Sequence, residues 1–169
     1  WADVGSVASF YDANILLTRP DAPFTFYHTH RPIYTHPRFL PGSRLRDCTV
    51  RDAIVTEGCY LERCSIEESV VGIRTAIRGG TTIRRSILLG ADYYSTDAVD
   101  RAPEDAPRLG IGRDVTMDRV IVDKNARIGD GARLVNERGL AEADGDGYYI
   151  RSGVIVVPKD GVIAPGTVV

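Results

Sequence analysis

Long apolar runs are missing from this sequence. Nothing in it approaches the roughly 20 residues that cross a membrane. No secretory leader is expected ahead of Trp1. An excess of either charge is missing too: 21 basic residues face 23 acidic ones, which removes any general pull toward nucleic acid or a membrane surface. Cysteine is scarce. Three residues, an odd number without a C-x-x-C pair, make neither a disulfide framework nor a zinc site and suit a reducing, cytoplasmic setting. Between Leu45 and Leu89 there is no Asn-Gly or Asp-Gly, so the tight hairpins of a β-sandwich are not expected. Lysine is the scarcest charge. Of 21 basic residues only Lys124 and Lys159 are lysine. They are either two ordinary surface lysines or places where a compact ammonium is wanted rather than a planar fork.

What the sequence has instead is a six-residue grammar. Val71-Gly-Ile-Arg-Thr-Ala and Ile77-Arg-Gly-Gly-Thr-Thr each open on an aliphatic residue, with Thr75 and Thr81 in fifth place. The pattern returns at Ile111-Gly-Arg-Asp-Val-Thr, Ile128-Gly-Asp-Gly-Ala-Arg and Ile163-Ala-Pro-Gly-Thr-Val. Such hexads mark a parallel β-helix: aliphatic side chains point into a prism, and small residues fit its corners. The longer period agrees. Leu45, Leu61 and Ile77 are 16 apart, as are Val50 and Ile66, and Val55 and Val71, whereas Ile66 to Ile83 and Val71 to Leu88 span 17. Three short strands per coil explain this spacing. Glycine and β-branched residues crowd the stretch too densely for an α-helix. In hexapeptide-repeat proteins the coil is left-handed, a breach of the right-handed crossover rule. Cys48 and Cys64, 16 apart, are expected on adjacent coils, roughly 4.8 Å apart at the backbone, as reduced packing thiols.

The chain divides into three. Residues 1–17 carry Ser6 as a helix N-cap, followed by Val7, Phe10, Tyr11, Asn14 and Ile15 at helical spacing. The apolar face of this helix needs a partner. Residues 18–44 hold Pro20, Pro23, Pro32, Pro37 and Pro41, an extended linker. Its Phe24, Phe26, Tyr27, Tyr34 and Phe39 are too many for a free tether and are expected to pack along the β-helix. Residues 45–169 form the β-helix, with two polar excursions. One runs from Asp92 to Leu109 and includes Asp97, Asp100, Glu104 and Asp105; it is expected to be mobile at its middle. The other runs from Asn136 to Gly147. The last strands, from Ile150 to Val169, are expected to end on an unpaired rung.

Several stretches carry a family likeness. Trp1-Ala-Asp-Val-Gly-Ser, Ile33-Tyr-Thr-His-Pro-Arg-Phe-Leu-Pro, Ser69-Val-Val-Gly-Ile-Arg and Gly90-Ala-Asp-Tyr-Tyr-Ser-Thr-Asp appear in order, followed by Ile121-Val-Asp-Lys-Asn-Ala-Arg-Ile-Gly and Ile150-Arg-Ser-Gly-Val. Together they resemble the C-terminal part of ADP-glucose pyrophosphorylase (glucose-1-phosphate adenylyltransferase), closest to the photosynthetic type, over nearly the whole chain. Hexads alone are shared with many acyltransferases; the Gly-Ala-Asp-Tyr-Tyr and Asp-Lys-Asn-Ala-Arg-Ile-Gly stretches are far more specific.

The resemblance implies a Rossmann-like nucleotidyltransferase domain before Trp1, of which residues 1–17 are the closing helix. That whole enzyme makes ADP-glucose and pyrophosphate from ATP and glucose 1-phosphate for glycogen or starch synthesis. Asp3 matches the family's second metal-binding aspartate and would help hold Mg²⁺ in the full-length enzyme. One carboxylate makes no site, so these 169 residues alone are expected to be inactive and to hold no cofactor. Lys124 and Lys159 match the two lysines that bind the anionic effectors 3-phosphoglycerate or phosphate, and Arg38 matches a residue lining that site. His36 stands where the family usually has Gln; protonated, it would favour an anion more strongly. The implied partners are the catalytic domain, small anionic effectors and further copies of the chain, a tetramer being usual in the family. The implied location is the cytoplasm, or a plastid in a plant or alga.

Two other functions compete. A stand-alone hexapeptide acyltransferase would need a histidine base, and His28, His30 and His36 all fall in the linker rather than on a coil loop. A purely structural oligomerisation scaffold is compatible with the regulatory reading.

Overall fold

The structure, a computed structural model, describes residues 3–96 and 105–169. Asp97, Asp100 and Glu104, at the middle of the first excursion, lie outside the described residues.

Short parallel strands wind into three sheets that form the faces of a prism. The first face stacks Arg44–Arg46, Tyr60–Glu62, Ala76–Ile77, Gly110–Ile111, Arg127–Ile128 and Val162–Ile163. The second stacks Thr49–Arg51, Ser65–Glu67, Thr82–Arg84, Thr116–Asp118 and Arg133–Leu134. The third stacks Ile54–Val55, Val70–Val71, Ile87–Leu88, Val120–Val122 and Val154–Val157.

As far as Leu88 the registers are those the sequence period predicts, and the later coils continue the same columns across the excursions. Leu45, Leu61, Ile77, Ile111, Ile128 and Ile163 form one column. Val50, Ile66, Ile83, Met117 and Leu134 form the second. Val55, Val71, Leu88, Val122 and Val157 form the third. These columns fill the prism with aliphatic side chains, and burying them is the main force holding the coil together. The corners turn on left-handed backbone. Besides several glycines, Arg63, Arg74, Asp114 and Asn125 adopt positive φ there. The predicted small corner residues are buried and satisfied: Thr75 Oγ1 donates to the Gly72 carbonyl (2.6 Å) and Thr81 Oγ1 to that of Gly112 (2.9 Å).

The column opening at Leu45 is not closed. Leu45 and Val50 are exposed, because the first coil has no rung below it. At the other end Val168 bridges only Arg133 and is also exposed. Cys48 and Cys64 lie on adjacent coils as free thiols, Sγ to Sγ 3.5 Å. Burial, first of all, and then the neighbouring thiol push Cys64 up to about 12.

The helix expectation is met, and two others need correction. The helix, Val7–Leu16, is capped by Ser6 as read from the sequence, with Ser9 completing a reciprocal capping box. Its partner, however, is the prism itself. Tyr11 packs with Ile87, Ile121 and Val154 on the outside of the third face, and Tyr11 Oη donates to the Arg85 carbonyl (2.6 Å).

The linker aromatics do not pack along the β-helix. Phe24, Phe26, Tyr27, Tyr34 and Phe39 are all exposed, and Phe24 and Phe26 meet edge to face at 5.2 Å. The outer faces of the early coils give a physical reason. They carry charged ladders, Arg46 to Glu62 (2.6 Å) and Arg51 to Glu67 (2.9 Å), and the apolar seat on the third face is taken by the helix.

The second excursion is not simply polar loop. Glu142–Gly145 and Tyr148–Arg151 form an antiparallel hairpin that extends the third face beyond Val154–Val157. Asp144-Gly145-Asp146-Gly147 was the turn signal for it.

Candidate functional site

The two lysines sit one coil apart at the corner between the third and first faces. Lys124 follows the strand Val120–Val122 and Lys159 follows Val154–Val157. The coils pair Val122 with Val157, and the Asp160 N–H donates to the Lys124 carbonyl (2.9 Å). The same stacking that builds the core therefore sets the two ammonium groups side by side.

Between them lies Asp92, at the start of the first excursion. Lys124 Nζ is 2.8 Å from Asp92 Oδ1 and Lys159 Nζ is 3.3 Å from Oδ2. Asn125 fixes the carboxylate from the side. Its Oδ1 accepts the Asp92 N–H (2.8 Å), and its Nδ2 donates to Asp92 Oδ2 (3.2 Å). Asn125 can do this because its own backbone turns through φ 62°, which asparagine tolerates better than most residues. It is buried, whereas the charged groups stay accessible: side-chain exposure is 37% for Lys124, 54% for Lys159 and 39% for Asp92. The hydrogen bond from Lys124 is the largest cause holding Asp92 down to about 2, with Lys159 and Asn125 adding to it against some desolvation.

The corner is a dication closed on an internal carboxylate. Two ammonium groups share the Asp92 carboxylate, and Asp123 accepts the Lys124 backbone N–H (2.6 Å) beside them. Asp92 and Asn125 were not singled out as site residues from sequence, although both fall in the two most specific stretches, Gly-Ala-Asp-Tyr-Tyr and Asp-Lys-Asn-Ala-Arg-Ile-Gly.

The remaining sequence candidates are not gathered here. His36 and Arg38 lie in the exposed linker, and Arg38 Nη1 donates to the His36 carbonyl (3.3 Å). Among the described residues no hydrogen bond or ion pair joins either of them to Lys124, Lys159 or Asp92. His28 and His30 are exposed neighbours, the Nδ1 of His28 accepting the His30 N–H (3.2 Å). No carboxylate pairs with either histidine among the described residues, so neither is oriented as a general base.

Asp3 does not fit a magnesium ion by itself. It is exposed, Oδ1 accepts the Gly5 N–H (2.9 Å), and no group of three or more candidate metal ligands occurs among the described residues.

Residues 38–168 match a sequence-family model described as the GLGC left-handed parallel β-helix domain. The chain belongs to this family. The GLGC β-helix is the C-terminal domain of the ADP-glucose pyrophosphorylase family, which is a family of nucleotidyltransferases. The match spans all three faces of the prism and both lysines, and the handedness expected from the hexads is that of the family. No helix among the described residues is long and apolar enough to cross a membrane.

Proposed function

We propose that this chain is the regulatory and oligomerisation domain of an ADP-glucose pyrophosphorylase of the photosynthetic type, and that the Lys124/Lys159 corner receives its anionic effector. On this reading, residues 1–17 close a catalytic domain, residues 18–44 connect it, and residues 45–169 regulate it. The whole enzyme joins ATP and glucose 1-phosphate into ADP-glucose and pyrophosphate, with Mg²⁺ held by Asp3 and partners from the catalytic domain. The whole enzyme assembles as a tetramer.

The convergence of both lysines on Asp92 carries the reading. An ammonium is a compact point charge that can swing from one acceptor to another, whereas a guanidinium imposes a planar fork. A chain with 19 arginines that places its two lysines on one carboxylate has a mobile cation pair at that spot. A phosphate or 3-phosphoglycerate would compete with Asp92 for these ammonium groups. Arg38 and His36 would join the site once the exposed linker is held by the catalytic domain.

The test is protection against thermal unfolding by phosphate or 3-phosphoglycerate, with wild type compared to Lys124→Ala and Lys159→Ala. Protection in wild type that is lost in both variants supports effector binding; equal behaviour of all three defeats it. In the full-length enzyme the same substitutions are expected to weaken activation and leave basal turnover largely intact. Equal collapse of basal turnover would assign the lysines a catalytic or structural role.

A further inference from the structure

A second constellation of cations lies one corner away. After Arg127–Ile128 the chain turns from the first face toward the second, and the corresponding turns of the stacked coils open on a cleft of about 640 Å³. Arg78, Arg108 and Arg113 line it.

Arg78 is held rigidly without a counter-ion. Its Nη1 donates to the Ile111 carbonyl (3.0 Å) and its Nη2 to that of Leu109 (3.1 Å), which uses two of the five guanidinium donors. Among the described residues no carboxylate lies within 4.0 Å of the guanidinium nitrogens of Arg78, Arg108 or Arg113. Burial first, and then the Arg108 charge, hold the Arg78 pKa below its ordinary value; Asp130 opposes this, and Arg113 and Arg127 add to it.

Carboxylates are present on the walls, and one of the three is paired with arginines outside the cleft's trio. Glu62 Oε1 sits 2.6 Å from Arg46 Nη2 and 3.5 Å from Arg63 Nη2. Asp130 Oδ1 accepts the Arg113 N–H (2.8 Å). Asp105 is the third. Like charges crowded at a partly buried site destabilise one another until an anion joins them.

We propose that this cleft binds a small phosphate-bearing molecule through Arg78, Arg108 and Arg113, at a site separate from the Lys124/Lys159 corner. Guanidinium forks match phosphate oxygens in pairs, and three of them around one opening fix a phosphate's place and orientation. The cleft is larger than a bare phosphate needs. Pro107 and Pro165 supply apolar wall for an attached carbon skeleton. The two sites differ in kind: ammonium groups already closed on an aspartate at one, and at the other a guanidinium held by two carbonyls beside two exposed guanidinium groups.

The experiment titrates inorganic pyrophosphate into the protein at constant ionic strength, followed by calorimetry and by arginine Nε–Hε resonances. Arg108 and Arg113 are exposed, so Arg108→Ala/Arg113→Ala removes charge without opening the core. The expected result is movement of the Arg78, Arg108 and Arg113 resonances and an affinity at least about tenfold weaker in this double variant. Lys124→Ala/Lys159→Ala retains those movements. Unchanged binding in the arginine variant, or no movement of the three resonances in wild type, overturns the proposal. Loss of pyrophosphate binding in the lysine variant alone would overturn it too, while leaving the effector reading intact. Loss in the arginine variant alone, without phosphate protection through the lysines, would do the reverse.

Discussion

Lys124 Nζ lies 2.8 Å from Asp92 Oδ1, across 32 residues of chain that include the whole first excursion. An anion arriving at this corner must take the ammonium from a carboxylate already in place. The domain thus carries an internal competitor for the ligand that we propose it senses.

The Asp92→Asn variant removes that competitor's charge and keeps its shape. Phosphate affinity is expected to rise about two- to fivefold, the scale of one exposed ion pair. Calorimetric titration at fixed ionic strength measures it. Weaker binding would mean that Asp92 orients the lysines rather than competing for them.

Acid should reveal the same contact in stability. Asp92 is held at about 2 when folded, against an ordinary aspartate near 4 when unfolded. A depressed carboxylate pKa stabilises the fold above about pH 4 and loses that contribution as pH falls toward about 2. The group is more than a third exposed, so solvent screening limits the effect to at most about 1 kcal/mol. Urea unfolding of wild type and Asp92→Asn should differ at pH 5 and converge by pH 2; a gap that widens in acid contradicts the assignment.

The prism interior should be far less tolerant than its open end. Met117 is fully buried between Ile83 and Leu134, so Met117→Ala is expected to cost about 2–5 kcal/mol. Val50 stands in the same column at the exposed first coil, and Val50→Ala should cost less than about 1 kcal/mol. Denaturant midpoints decide between them, and equal losses would refute the column of increasing burial.

Helix docking has its own single-atom test. Tyr11→Phe deletes the hydroxyl that donates to the Arg85 carbonyl at 2.6 Å and leaves the ring over Val154 and Ile87. A loss of about 1 kcal/mol is expected in thermal unfolding, with helix content unchanged by circular dichroism. No loss at all would show that ring burial alone seats the helix.

The prism could be read from residue spacing because its cause is local and repeated. Each coil of 16 or 17 residues must return an aliphatic side chain to the same interior column, so the spacing of Leu45, Leu61 and Ile77 declared their register. Ser6 likewise announced the helix start, since a cap needs only the residues beside it. The hairpin after Asn136 was signalled by Asp144-Gly145-Asp146-Gly147 but masked by the polarity around it. The exposure of Phe26, Tyr34 and Phe39 could not be read, because it depends on which outer faces the coils leave charged and which one the helix has covered.

The site divides in the same way. Amino-acid usage drew attention to Lys124 and Lys159, for scarcity is a property of the chain and needs no geometry, and the family resemblance made them site candidates. That they share one carboxylate was decided only by folding. Asp92 reaches them because the excursion leaves the coil next to Asn125, and Arg78 and Arg113 line one cleft because the turns of successive coils stack, with Arg108 added by the end of the excursion. Periodic burial is written residue by residue along the chain, whereas the meeting of charges distant in sequence exists only once the coils are stacked.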